Sequence, residues 1–259
     1  MYKITIMKNI FLLLFACLAI TIQAQKSTEF VEVTYELRMD MDAETVIQSI
    51  PQQYRAQVAD QIRQELADGI KINYILKTNG QESTYEMVEK ISNAQSPVGM
   101  ITQQMMSQDK GVFYKDLKEG TFLKPYDIMG SKYLVKDKLP EYTWEITREN
   151  EEIAGFTTRK AMGQYNDTIS ARAWFAPKIT IKDGPDRTWG LPGLILKAEF
   201  NTNGVDISVT ALSVAVKNEE IKITKPAGGK QLSQEAFEKE MLEIQKKIQE
   251  MMGGGVDTE

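Results

Sequence analysis

The 259-residue chain contains no histidine and a single cysteine, Cys17. Without histidine it lacks the commonest general base at neutral pH, which excludes Ser-His-Asp and Cys-His nucleophilic systems. A zinc site built from His and Cys is excluded as well, and only an all-oxygen calcium or magnesium site stays open. No run of Lys and Arg interrupts a chain whose net charge is −5, so nucleic acid and anionic lipid surfaces are poor partners. No stretch reaches the about 20 apolar residues that cross a bilayer. Neither G-x-G-x-x-G nor G-x-x-x-x-G-K-S/T is present, there is no internal repeat, and nothing calls for a cofactor.

What is there begins with an export signal. From Met7 the chain reads MKNIFLLLFACLAITIQAQ: Lys8 and Asn9, a largely apolar run from Ile10 to Ile22, then a polar Gln-Ala-Gln. This is the form of a secretory signal ending at Ala24, so residues 1–24 are expected to leave. Leu14-Phe15-Ala16-Cys17 offers a second reading, a lipoprotein anchored through Cys17, although Phe15 is bulky there and apolar residues continue after the cysteine. In the first case the only cysteine departs and no disulfide can form. The expected location is the periplasm, the outer membrane or the cell exterior. Residues 25–228 read as one β-rich domain, 229–252 as a C-terminal helix and 253–259 as a loose tail.

Periodicity supplies the elements. Val31, Val33, Tyr35 and Leu37 alternate with mostly polar residues, as in a half-buried strand. Tyr54, Val58, Ile62 and Leu66 then recur every four residues between Pro51 and Gly69, which predicts a helix near 51–68. Residues 70–90 resume a period of two around a turn at Asn79-Gly80. From Lys110 onward short strands follow one another, with a short late strand expected at Ile221–Thr224. Phe237, Met241, Ile244, Ile248 and Met251 step by four and three along the last helix. Short links of this kind favour an antiparallel meander, so the fold class is α+β and mainly antiparallel.

Several residues invite a functional reading. Met100, Met105 and Met106 could be soft copper ligands, a mobile ligand-touching segment, or a helix or loop packing its thioethers inward. Asp183, Asp186 and Arg187 sit beside Trp189 in DGPDRTWGLPGLILKAEF. One reading is a recognition loop in which Arg187 meets an anion or carboxylate while Trp189 or Trp174 provides an apolar platform. The other is a structural corner, with Pro192-Gly193 at the centre of a type II turn and Trp189 closing the core. Carboxylates are plentiful enough for a two-acid hydrolase, but nothing in the sequence pairs them. Asn166-Asp167-Thr168 matches N-x-T and reads as a hairpin turn.

Gly190-Leu191-Pro192-Gly193-Leu194-Ile195, together with Thr158–Ala161, Ala173-Trp174-Phe175-Ala176-Pro177 and Gly184-Pro185, resembles the GLPGLI family of secreted or envelope proteins of Bacteroidota. That resemblance brings no established activity. The order of these segments also resembles the curved half-barrels of LolA-like lipoprotein carriers, which implies a curved sheet with a helix near each end and an apolar concavity for lipid. The resulting expectation is a non-enzymatic periplasmic or cell-surface protein that binds a lipid, an acyl chain or an envelope protein partner. Tyr35, Trp144, Trp174, Phe175, Arg187 and Trp189 are the candidate binding residues. A structural envelope component and a carboxylate-dependent hydrolase are the alternatives.

Overall fold

The computed structural model describes residues 30–89, 95–108, 110–165, 168–202 and 204–253. The export segment, the Asn166-Asp167 turn and the tail after Gly253 lie outside these residues. Among the described residues twelve strands form one sheet. β1 (Phe30–Asp40) runs through its middle. On one side follow β2 (Ile70–Thr78), β3 (Glu82–Met87), β4 (Phe113–Asp116), β5 (Thr121–Ile128) and β6 (Ser131–Lys138). On the other side the second meander comprises β7 (Thr143–Ile153), β8 (Phe156–Tyr165), β9 (Thr168–Ala176), β10 (Leu194–Thr202) and β11 (Val205–Lys217). β11 pairs with β1, and β7 forms the edge. β12 (Lys230–Leu232) joins β6 in parallel, while the remaining pairs are antiparallel.

The chain path requires the sheet to curl. β6 and β7 belong to opposite halves, yet residues 139–142 alone connect them. Laid flat, ten strand spacings would hold β6 and β7 about 48 Å apart. A four-residue link reaches less than about 20 Å. The result is a curved, open sheet with helices near both ends of the chain; the residue pattern implied the antiparallel sheet and its helices, and the resemblance to half-barrels implied the curvature.

Four helices accompany the sheet among the described residues: α1 (Ala43–Ser49), α2 (Gln52–Leu66), α3 (Pro97–Gln108) and α4 (Gln234–Gly253). α1 was not legible from the periodicity. Asp42 caps it by accepting the Thr45 N–H at 2.8 Å, and Ile50, extended before Pro51, separates it from α2. Of the expected α2 stripe, Ile62 and Leu66 are buried, whereas Tyr54 is 50% exposed. On α3, Met105 and Met106 pack against the core while Met100 points outward, so the three methionines do not converge. The expected strand at Ile221–Thr224 is absent. That segment crosses the opposite face instead, where Ile223 covers Tyr114, Leu123 and Leu134.

The principal core lies on the concave face. Val31, Val33 and Tyr35 of β1 and Ile70, Ile72, Tyr74 and Leu76 of β2 face it, under Val46, Ile47, Ile62 and Leu66 of α1 and α2. Tyr74 stacks on Tyr85 with ring centroids 4.7 Å apart, and Tyr35 meets Tyr85 edge-on at 6.2 Å. Into this apolar face β4 inserts a charge. Lys115 follows Phe113 by two residues and is completely buried. Its Nζ lies 2.5 Å from Asp183 Oδ1 and donates to the Gly184 carbonyl at 2.5 Å. Asp183 is also fully buried, in the connection between β9 and β10. Contact between β4 and that connection spans both halves of the sheet, which only its concave side permits.

Two outcomes follow. Lys115→Met strands an unpaired carboxylate in a dry interior and should cost about 3–5 kcal/mol in denaturant unfolding. Replacing both partners, Lys115→Met with Asp183→Leu, should restore most of that loss; a single variant as stable as wild type would show that the pair carries no constraint. The second outcome concerns alkali. Burial, and next the charge of Asp183, raise the Tyr35 phenol well above its ordinary value of 10.0. The unfolded chain releases this proton near pH 10 while the folded chain keeps it, so the contribution is intact below pH 10 and is lost as pH rises beyond it. Unfolding free energy measured from pH 8 to 11.5 should fall above pH 10, and Tyr35→Phe should flatten part of the slope.

Candidate functional site

The β9–β10 connection, residues 177–193, is built as a folded corner. Its backbone is tied down at both ends: the Leu194 N–H donates to the Ile179 carbonyl at 3.0 Å and the Ile195 N–H to the Asp183 carbonyl at 2.9 Å. Within it the Thr188 hydroxyl donates to the Pro185 carbonyl at 2.5 Å. The turn at Pro192 is not the expected type II. The Gly193 N–H donates to the Leu191 carbonyl at 2.8 Å, closing a three-residue γ-turn, because Leu194 is already engaged with Ile179. The need for glycine at 193 is steric, since a Cβ there would lie 2.4 Å from the Ala176 carbonyl oxygen.

The tryptophans lock this corner in place. Trp189 Nε1 donates to the Pro140 carbonyl at 2.8 Å, and its ring covers Gly120, where a Cβ would approach to 3.3 Å. Trp144 Nε1 donates to the Trp189 carbonyl at 3.0 Å, and its ring lies on Gly163, which has no room for a Cβ. Phe175 is buried against Gly193, Leu191 and Ile195. Tyr35 donates from its hydroxyl to the Ile195 carbonyl at 2.6 Å. Trp174 lies on the opposite face of β9. There it packs in register between Lys160 and Lys197, whose Nζ atoms are 5.6 and 4.2 Å from a ring centroid. These five side chains close and support the core.

Of the six candidates, Arg187 is the one that borders a cleft, a space of about 340 Å³ between the two halves of the sheet. Phe122 supports its guanidinium at 4.9 Å, and Nη2 donates to Gln234 Oε1 of α4 at 3.2 Å. Asp186, Lys124, Tyr126, Tyr142 and Ser170 join it in the cleft wall. Asp186 adopts a left-handed backbone conformation with φ 48°, uncommon for a residue other than glycine. Burial, and then the Asp186 charge, push the Tyr142 phenol up to about 12, so it remains a hydroxyl donor across the physiological range. Ser170 Oγ is buried with no hydrogen-bond partner among the described residues. Lys124 escaped the sequence reading, yet its signal was present: Phe122, Lys124 and Tyr126 alternate onto one face, and a lysine on an apolar strand face is out of place.

A wider cavity of about 810 Å³ lies on the other face of β4 and β5, beneath residues 225–228. Tyr114 and Leu123 contribute apolar surface there, but Asp116, Glu119, Lys136 and Lys225 also form its wall. No group of three or more His, Cys, Asp or Glu able to hold a metal occurs among the described residues. No described helix is long and apolar enough to cross a membrane.

Among solved structures, PNGF-II in a C2 crystal form is similar over 83% of this chain, with 15% identity and a TM-score of 0.51. The chain spans a third of that protein's length, 33%, and the likeness is one of fold. An uncharacterized conserved protein from Thermus thermophilus aligns over 81% of this chain and 92% of its own at 7% identity and a TM-score of 0.38. A putative outer membrane lipoprotein-sorting protein domain from Vibrio parahaemolyticus aligns over 84% of this chain and 92% of its own at 8% identity, with a TM-score of 0.26. No curated protein matches the sequence. The segment from the end of β6 into the first half of β10, residues 136–197, which holds Trp144, Trp174 and the whole glycine-rich corner, matches the Bacteroidota family model described as a protein of unknown function (Porph_ging).

Proposed function

We propose that the protein is an exported, non-enzymatic structural component of the cell envelope that works by holding a partner, and that it does not carry lipid. The observation behind this reading is what occupies the concave face. The 177–193 corner and helices α1 and α2 fill it, and the cleft left over is walled by Lys124, Asp186 and Arg187 as well as tyrosines. An acyl chain needs a continuous apolar wall, because polar groups pressed against hydrocarbon without partners cost several kcal/mol. The wider cavity on the opposite face is lined by charges too.

The sheet edge supports a structural role. β7 is eleven residues long and carries Glu145, Arg148, Glu149, Glu151 and Glu152, and its register breaks between Ile146 and Asn150. Charge and a bulge on an edge strand block indiscriminate strand pairing while leaving side chains for specific contacts. Two-acid hydrolysis requires a pair of carboxyl groups about 5 to 9 Å apart across the reacting bond. Asp186 is the one carboxylate among the residues bordering the cleft, an arrangement that favours binding.

Native mass spectrometry of protein gently extracted from its own envelope tests this reading. The expected species are the bare chain or a complex with a polypeptide. A stoichiometric phospholipid or acyl adduct would overturn it.

A further inference from the structure

The corner that seals the core also carries Arg187 into the cleft. We infer that this cleft is a recognition site for a carboxylate with a hydrogen-bond donor close by, as at the C-terminal end of a polypeptide or in a free amino acid. The inference rests on the reading of the protein as a binding component and names the chemistry of what it holds.

Arg187 is the anchor. A guanidinium presents its N–H donors in a planar fork that matches a carboxylate in two parallel hydrogen bonds. Here the fork is oriented in advance, held over the Phe122 ring at 4.9 Å and tied to Gln234 through Nη2. A long side chain held in this way loses less freedom on binding than one ordered by its ligand. Lys124 places a second cation in the same wall.

Asp186 sets the rest of the ligand. Two cations alone would suit a phosphate, but a carboxylate beside them repels a doubly charged group. A ligand carrying a carboxylate at one point and an N–H or ammonium a short distance away satisfies both signs. The positive φ of Asp186 keeps an acceptor next to Arg187 at the cost of an uncommon backbone conformation, and such positions cluster at binding sites. The Tyr142 hydroxyl, protonated up to about pH 12, and the unpartnered Ser170 Oγ add neutral polar groups to the same wall. Phe113, Tyr126 and Phe200 line the remainder, which suits an apolar or aromatic side chain on the ligand. A volume of about 340 Å³ lies at the small end of ligand sites, fitting a chain end better than a folded surface.

Isothermal titration calorimetry on the exported chain tests this with three probes: the tripeptide Gly-Ala-Phe, its C-terminal amide, and free phenylalanine. The tripeptide acid should bind, and the amide should bind at least about tenfold more weakly, as expected when a hydrogen-bonded charge is removed. Arg187→Gln should weaken the acid by about tenfold or more, with an unchanged circular dichroism spectrum. Asp186→Asn, at the tip of the corner, should weaken it without abolishing the preference for acid over amide. Free phenylalanine binding as tightly as the tripeptide would assign the site to a free amino acid, and weaker binding would assign it to a chain end. Equal affinity for acid and amide, or no binding by any probe up to millimolar concentration, would overturn the inference. Either result would leave the lipid question of the envelope extraction unaffected.

Discussion

The buried pair between Lys115 and Asp183 is the constraint from which much of the architecture follows. Neither side chain touches solvent, and their closest atoms are 2.5 Å apart. A lone charge in this interior would cost several kcal/mol, so each residue is held where the other can reach it. The Gly184 carbonyl accepts from the same ammonium, and the Gly184 N–H donates to Asp183 Oδ1 at 2.8 Å. Lys115 belongs to one meander and Asp183 to the connection in the other. Their contact therefore fixes the 177–193 corner against β4 and holds the two halves of the curled sheet in register across the concave face.

Close packing of glycine against aromatic rings completes what the ion pair begins. Trp144 lies on Gly163, Trp189 on Gly120, and Phe175 on Gly193, each where a Cβ would collide with or crowd its neighbour. The two indole N–H groups are spent on backbone carbonyls, Trp189 on Pro140 and Trp144 on Trp189. Within the glycine-rich motif itself, packing accounts for Gly193 and also for Gly184, where an added Cβ would lie 2.7 Å from that of Ile195. Arg187 and Asp186, at the tip of the corner, border the cleft from a backbone anchored on both sides.

Much of the local structure was legible in the sequence. Strand alternation marked β1, the β2–β3 hairpin and the long antiparallel series, and the four-residue step marked α2. The glycine and proline pairs correctly announced a corner, although the turn at Pro192 took a different form because a neighbouring strand captured the Leu194 N–H. α1 escaped because seven residues are too few for a helical period to stand out. The cleft wall was half visible. Asp186 and Arg187 stood out beside Trp189, whereas Lys124 went unread although it lies between Phe122 and Tyr126 on an apolar strand face, and nothing local said what these residues faced.

The sequence by itself determined the chemistry that is excluded and the kinds of element that form. Both depend on composition and on backbone periods of two and about 3.6 residues, which act over short stretches of chain. Only the tertiary structure decided that β1 lies at the centre of the sheet, that Trp174 sits on the face away from the cleft, and that Lys115 meets Asp183. Alternation tells a side chain which face it shares with its neighbours along a strand; it carries no information about which strands pair or how far the sheet curls. That path through space brings Lys124 of β5 and Arg187 of the corner into one wall.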